Sequence, residues 1–184
     1  CIMSIQIYIL SKLIAEDNYP YKLKKELSDP IPFDKIGDLT ESKLYYHFES
    51  LSKQGLIQQV EVIKEENRPD KQVYTITEKG REDLPKKIYE LFEKANKLAE
   101  VIVGLMFLRY VEKSHIILIL EKKLESLHSK QLQLKDIYCH IRVEDTVQEM
   151  VDFADGYISD TIINEITWLE NLIAKLKNRD IYES

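Results

Sequence analysis

Thr40-Glu-Ser-Lys-Leu-Tyr-Tyr-His-Phe-Glu-Ser-Leu-Ser-Lys-Gln-Gly55 is the stretch around which the rest of the chain falls into place. Leu44, Phe48 and Leu51 recur at i, i+4 and i+7. On a helix, at roughly 100° per residue, they fall within about 60° of one another. The opposite side carries Ser42, Lys43, Tyr46, Ser50 and Lys53, with Tyr45 and His47 on the two flanks. Gly55 stands where a helix commonly ends. One short helix, buried along a narrow stripe, therefore presents hydroxyls, amines and phenols outward. Taken alone, this is also how an ordinary solvated face reads. Such groups equally donate to phosphates and base edges, as a helix in a DNA groove requires. The flanking segments shift the balance.

Upstream, Ile2, Ile5, Ile9 and Leu13 repeat at helical spacing, widened by Leu10 and Ile14. Asp17-Asn18 breaks that helix, and Pro20 sits where a first helical position tolerates proline. Tyr21 to Leu27 is a second, short helix, ended by Asp29-Pro-Ile-Pro32. A loop to Leu39 leads to the third helix, capped by Asp38 or Thr40. Downstream, Leu56–Ile63 is rich in β-branched residues, Lys64–Lys71 is a polar turn, and Gln72–Thr77 is a second strand. Thr77 then caps a further helix, with Glu78 in its favourable first turn. Three short helices followed by a two-stranded wing give a winged helix-turn-helix.

Those blocks carry a resemblance. Leu44-Tyr45-Tyr46-His47-Phe48, Leu51 and Gln54-Gly55-Leu56-Ile57 resemble the recognition-helix block of the PadR family of winged-helix transcriptional regulators. Asn67-Arg68-Pro69, Tyr74–Thr77 and Glu78-Lys79-Gly80-Arg81 are similar to that family's wing tip, second wing strand and post-wing helix start. Tyr21 resembles the tyrosine of an early Gly-Tyr signal, with Pro20 here in the glycine's place. The resemblance is strong over about residues 2–84. It implies DNA contacts from Tyr21, Lys22, Thr40, Ser42, Lys43, Tyr45, Tyr46, Ser50, Arg68 and Lys71, with Arg68 reaching backbone or minor groove from the wing.

From Leu84 onward the pattern is one of long helices. Leu84, Ile88, Leu91, Ala95, Leu98, Ile102 and Leu105 form a coiled-coil-like seam. Pro85 within it, at a cost of about 3 kcal/mol, calls for a kink or a new helix. A second seam runs from Ile117 to Ile141, and a third, along Thr146–Lys177, carries Ile158, Ile162, Ile166, Leu169, Ile173 and Leu176. Glu165-Ile-Thr-Trp-Leu-Glu170 is loosely similar to the last helix of the family's virulence-regulator branch, whose helices form a homodimer. The expected interface is Leu91, Leu98, Ile162, Ile166, Trp168, Leu169 and Ile173. The whole is read as mainly α: a winged helix over residues 1–84 and a helical dimerisation domain over residues 85–184.

Composition bounds the alternatives. The 184 residues carry a net charge of −6 and only five Gly and five Pro. Up to Leu84 there are 12 basic and 15 acidic residues, so DNA contact must come from a local basic patch. That acidic balance also motivates a rival reading, a winged-helix adaptor that binds protein rather than DNA. Two cysteines fit a reducing cytoplasm, and no apolar run is long enough for a membrane span. The first residue is Cys1 rather than an initiator Met, so the true start is open. His47, His115, His128 and His140 stand at no zinc-like spacing, and no phosphate loop or nucleophile elbow occurs. Neither metal, cofactor nor enzyme chemistry is expected. Trp168, Tyr157 and Tyr138 are core or interface aromatics, or else the lining of a site for a small aromatic effector. The reading is a homodimeric repressor on a pseudo-palindromic operator in double-stranded DNA.

Overall fold

The computed structural model describes residues 2–27, 41–64, 66, 70–96, 98–140 and 145–178. In chain order the elements are α1 (Ile2–Ala15), α2 (Pro20–Glu26), α3 (Glu41–Lys53), β1 (Ile57–Ile63), β2 (Lys71–Ile76) and α4 (Glu78–Lys94). A 3₁₀ turn (Leu98–Val101), α5 (Ile102–Leu105), another 3₁₀ turn (Leu108–Tyr110), α6 (Lys113–His140) and α7 (Asp145–Lys177) follow. The candidate caps Asp38 and Thr40 and the wing tip Asn67–Pro69 lie outside the described residues.

The sequence stripe on α1 anticipates a one-sided helix. Instead Ile7, Tyr8, Ile9, Leu10, Ser11 and Leu13 are all buried. A helix apolar around most of its girth is the centre of its unit, and α1 packs against α3, β2, α4 and α5. The Tyr8 hydroxyl donates to the Leu23 carbonyl at 3.1 Å, tying α1 to α2. Such a buried hydrogen bond contributes about 1 kcal/mol. Burial also pushes the Tyr8 phenol far above its usual range, so it stays protonated and able to donate.

Pro20 begins α2, as its fixed φ allows. α3 ends in a paired main-chain lock: Leu56 N donates to Leu51 O at 3.0 Å and Gly55 N to Ser52 O at 2.9 Å. Gly55 takes φ +72°, the left-handed conformation this closure needs. β1 and β2 pair antiparallel from Ile57↔Ile76 to Ile63↔Lys71, with a bulge between Gln59 and Glu61. Asn18 adds a bridge to the outer edge of β2, exchanging main-chain bonds with Tyr74 at 3.0 and 2.8 Å.

Thr77 caps α4 by accepting from Gly80 N at 3.1 Å. Its hydroxyl donates to Gly55 O at 2.7 Å, and its own amide donates to Leu56 O at 3.0 Å. A Cβ on Gly80 would lie 2.1 Å from that Leu56 oxygen, so the close approach requires glycine. α1 to α4 with the β1–β2 hairpin make a winged helix-turn-helix.

Beyond Leu84 the structure departs from the sequence pattern in two places. No new helix starts at Pro85, since α4 runs from Glu78 to Lys94 with the proline inside it. Leu84, Ile88, Leu91 and Phe92 are fully or almost fully buried around it. At about 1.5–3 kcal/mol each, their burial outweighs the proline's cost of about 3 kcal/mol. The seam does break at Ala95, whose φ of −60° and ψ of 130° are extended. Val101, Gly104, Phe107 and Leu108 turn back into the first unit rather than prolonging a helix. Phe107 meets Tyr8 edge-on at 6.4 Å, and a Cβ on Gly104 would lie 2.8 Å from Phe92 Cε2.

Two compact units result: Cys1–Ala95 with Glu100–Val111, and Asn96–Ala99 with Glu112–Ser184. The expected division after residue 84 therefore falls inside α4. In the second unit α6 and α7 pack antiparallel, as Lys177–Glu121 (2.6 Å) and His128–Glu170 (3.8 Å) fix. Ile116, Ile119 and Leu120 of α6 and Ile162, Ile166, Leu169, Ile173 and Leu176 of α7 are buried. The Leu98 amide donates to Glu165 Oε2 at 3.0 Å. No helix among the described residues is long and apolar enough to cross a membrane.

Candidate nucleic-acid interface

α3 docks by Leu44, His47, Phe48 and Leu51, all buried. His47, expected on a flank, is only 3% exposed, and its Nδ1 has no hydrogen-bond partner. Tyr46 caps its ring edge-on at 5.4 Å. Burial holds the imidazole below its usual range, so it is neutral at pH 7. His47 thus belongs to the inner face, widening the stripe that Leu44, Phe48 and Leu51 defined.

Ser42, Lys43, Tyr45, Tyr46, Glu49 and Lys53 face outward. Tyr45 is 49% and Tyr46 64% exposed. Ser50 is half-buried, its hydroxyl accepting from Gln54 Nε2 at 3.1 Å. On α2, Tyr21 is exposed with the Lys25 ammonium 4.8 Å from its ring centre. Lys71 begins β2 with its ammonium 5.4 Å from the Tyr19 ring. Thr40 and Arg68 lie outside the described residues. The structure thus brings Tyr21 and Lys22 of α2, the outward side chains of α3 and Lys71 of the wing into one unit.

A cleft of about 580 Å³ runs between α3 and β2, lined by Ser42, Tyr45, Tyr46, Phe48, Glu49, Gln72 and Tyr74. Phe48 forms its floor and tilts against Tyr74 at 5.1 Å. Gln72 and Tyr74 share one face of β2, as residues two apart on a strand do. The Tyr74 hydroxyl donates to Gln72 Oε1 at 2.9 Å. Burial first, and then the Glu49 and Tyr45 charges, raise the Tyr74 phenol above its usual range. It therefore presents a neutral hydroxyl.

Several lysines of this surface are paired within the chain. Lys22 donates to Glu16 at 2.6 Å, Lys12 to Glu26 at 2.9 Å and Lys53 to Glu49 at 2.6 Å. The Lys53 hydrogen bond holds the Glu49 carboxyl below the usual carboxylate range, and Lys53 is raised in turn. Exposed pairs of this kind contribute little and are screened by salt. Glu49, Gln72 and Tyr74 were missed in the sequence. Helical periodicity alone places Glu49 outward; its negative charge is what hid it among candidates for binding an anion.

The expected interface residues fall in different places. Leu91 is buried in the core of the first unit, and Leu98 is half-buried in the second. Ile162, Ile166, Leu169 and Ile173 are buried within the α6–α7 unit, whereas Trp168 is 58% exposed. Tyr157 is exposed as well. It stands with Trp168 on one side of α7, about 16 Å apart along the axis at 1.5 Å per residue, so the two do not converge on a pocket.

Residues 9–93 match the model of the transcriptional regulator PadR-like family. None of the curated proteins compared with the chain matches it. Among solved structures it is similar to a PadR family transcription regulator from hypervirulent Clostridium difficile R20291. The identity there is 25% and the TM-score 0.38, covering 47% of this chain and 84% of that one. It is also similar to Bacillus subtilis PadR in complex with operator DNA, at 15% identity and a TM-score of 0.38 over 93% and 98% of the two chains. The same protein in complex with p-coumaric acid matches at 14% identity and a TM-score of 0.35, over 95% and 99%.

Proposed function

We propose, from the match of residues 9–93 to the PadR-like transcriptional regulator family, a sequence-specific DNA-binding repressor that acts in the cytoplasm as a homodimer. The observation that carries the reading is the outward face of α3. Lys43, Ser42, Tyr45 and Tyr46 stand clear of the core beside the wing, on a helix locked at its far end by Gly55 and Leu56. Tyr21 and Lys22 of α2 and Lys71 of the wing are the backbone-contacting groups, joined by Thr40 and Arg68.

The homodimer is supported by α7. Met150, Phe153, Tyr157 and Trp168 are 58–71% exposed and lie within about 60° on the helix. A soluble monomer rarely leaves such a row uncovered, and an isologous pairing is the common way to cover it. The interface is therefore assigned to this outer row, with Trp168 the one member shared with the sequence expectation. Two copies would read a pseudo-palindrome with half-sites one or two helical turns apart. A small aromatic effector would have to bind elsewhere than between Trp168 and Tyr157 of one chain, which stand about 16 Å apart along α7.

Selection of duplexes from a random pool tests the reading. A palindromic consensus should emerge, with retardation that falls steeply as salt rises, because phosphate contacts release counterions. Lys43→Ala or Tyr45→Ala should weaken the selected complex by about 1–3 kcal/mol where the side chain touches a base. Absence of sequence-selective retardation at low salt would instead favour a protein-binding adaptor.

A further inference from the structure

Glu49 lies on the outward face of α3, the surface that meets DNA in the reading above. Taking Leu44, His47, Phe48 and Leu51 as the inner side of α3, the opposite direction falls within about 30° of Ser42, Glu49 and Lys53. Glu49 also lines the cleft between α3 and β2, with Tyr45, Tyr46 and Tyr74 around it. Its side chain is 65% exposed and its partner in the protein is Lys53, one turn on, itself 74% exposed.

A carboxylate on this face repels phosphates wherever it lies along the strands. On the outward direction of the helix, in that reading, it faces the groove floor instead, where charge has a use. Among major-groove base edges, cytosine offers the N4 amino donor that a carboxylate accepts. The neighbouring Lys53 screens the carboxylate from the flanking phosphates and is a second donor released when the ion pair opens. We propose that Glu49 is a specificity-determining residue, accepting a hydrogen bond from the N4 amino group of one cytosine in each half-site. The assignment rests on the DNA-binding reading and adds a base and a position to it.

The test is duplex selection with the full chain and its Glu49→Gln variant in parallel. The wild type should fix cytosine at one position of the half-site. A glutamine amide matches adenine N6 and N7, so the variant should turn that position to adenine or lose its preference there, with the remaining positions unchanged. Changing that C·G pair to T·A should weaken the wild type roughly tenfold and the variant less than about twofold. The same consensus from both proteins overturns the assignment and leaves Glu49 as a surface partner of Lys53. If neither protein selects any duplex, the DNA-binding reading fails and the assignment falls with it.

Discussion

In the first unit Ile7, Leu44, Leu84 and Phe92 are 0% exposed and Phe48 only 1%. In the α6–α7 pair the inward row Ile162, Ile166, Leu169 and Ile173 keeps 5–8%, and Phe153 and Tyr157 stand 71% and 67% exposed. The first unit wraps helices and a hairpin around α1, so each side chain is enclosed from several directions. Two antiparallel helices can cover only the strip between them. A core closed on itself needs no partner, whereas this two-helix pair keeps a second apolar row exposed.

The largest expected effect tests the closed core. Phe92→Ala should cost about 3–5 kcal/mol of stability, read from urea unfolding, and abolish retardation of DNA with it. Phe153→Glu with Tyr157→Glu should leave the first unit's transition in place and convert the protein to single chains near 21.7 kDa in sedimentation. A wild type already at that mass would break the comparison.

Two glycines sharpen it at smaller scale. Gly80→Ala forces a Cβ against the Leu56 carbonyl and should destabilise the first unit by about 1–3 kcal/mol. Gly156, on exposed α7, has nothing within 4 Å of an added Cβ. Gly156→Ala should stabilise that helix by up to about 1 kcal/mol, through backbone entropy alone. Equal signs at the two positions would refute the contrast.

The smallest effect is one of pH. The folded protein holds His47 neutral, with its proton affinity lowered by burial. The unfolded chain takes up that proton as pH falls below about 6.5. The contribution of His47 is therefore complete above that value and lost as pH falls toward the lower folded pKa. His47→Leu should flatten the decline of the urea midpoint between about pH 7 and 5, and an unchanged decline would refute this role.

Much of the first unit was legible because local chemistry and global packing agree there. Gly55 and Thr77 both cap the helices their neighbours suggested, and within the β-branched run read from Leu56 to Ile63, Ile57–Ile63 pairs with Lys71–Ile76 as a hairpin. The break at Ala95 was not legible. Leu98, Ile102 and Leu105 keep the seam's spacing, and only the packing of Gly104 against Phe92 and of Phe107 against Tyr8 shows that the segment serves another core. The outer row of α7 was hidden for a related reason. Periodicity finds the strongest stripe, Ile162 to Leu176, and α6 takes it, leaving a weaker aromatic row that a single seam does not reveal. In the candidate site, the third helix and its outward donors were readable from spacing. The cleft needed β2, which the fold brings beside α3.

Leu56 holds three elements by its main chain alone: its amide closes α3, its carbonyl receives Thr77, and the same oxygen lies under Gly80. The hairpin is thereby bolted at its root, and nothing in that joint depends on residues farther out. Wings of other lengths and sequences, grafted between Ile63 and Lys71, would leave the seating of α3 against α4 untouched. The joint separates what can diversify from what must be kept: outward side chains and the wing can change around a fixed pin.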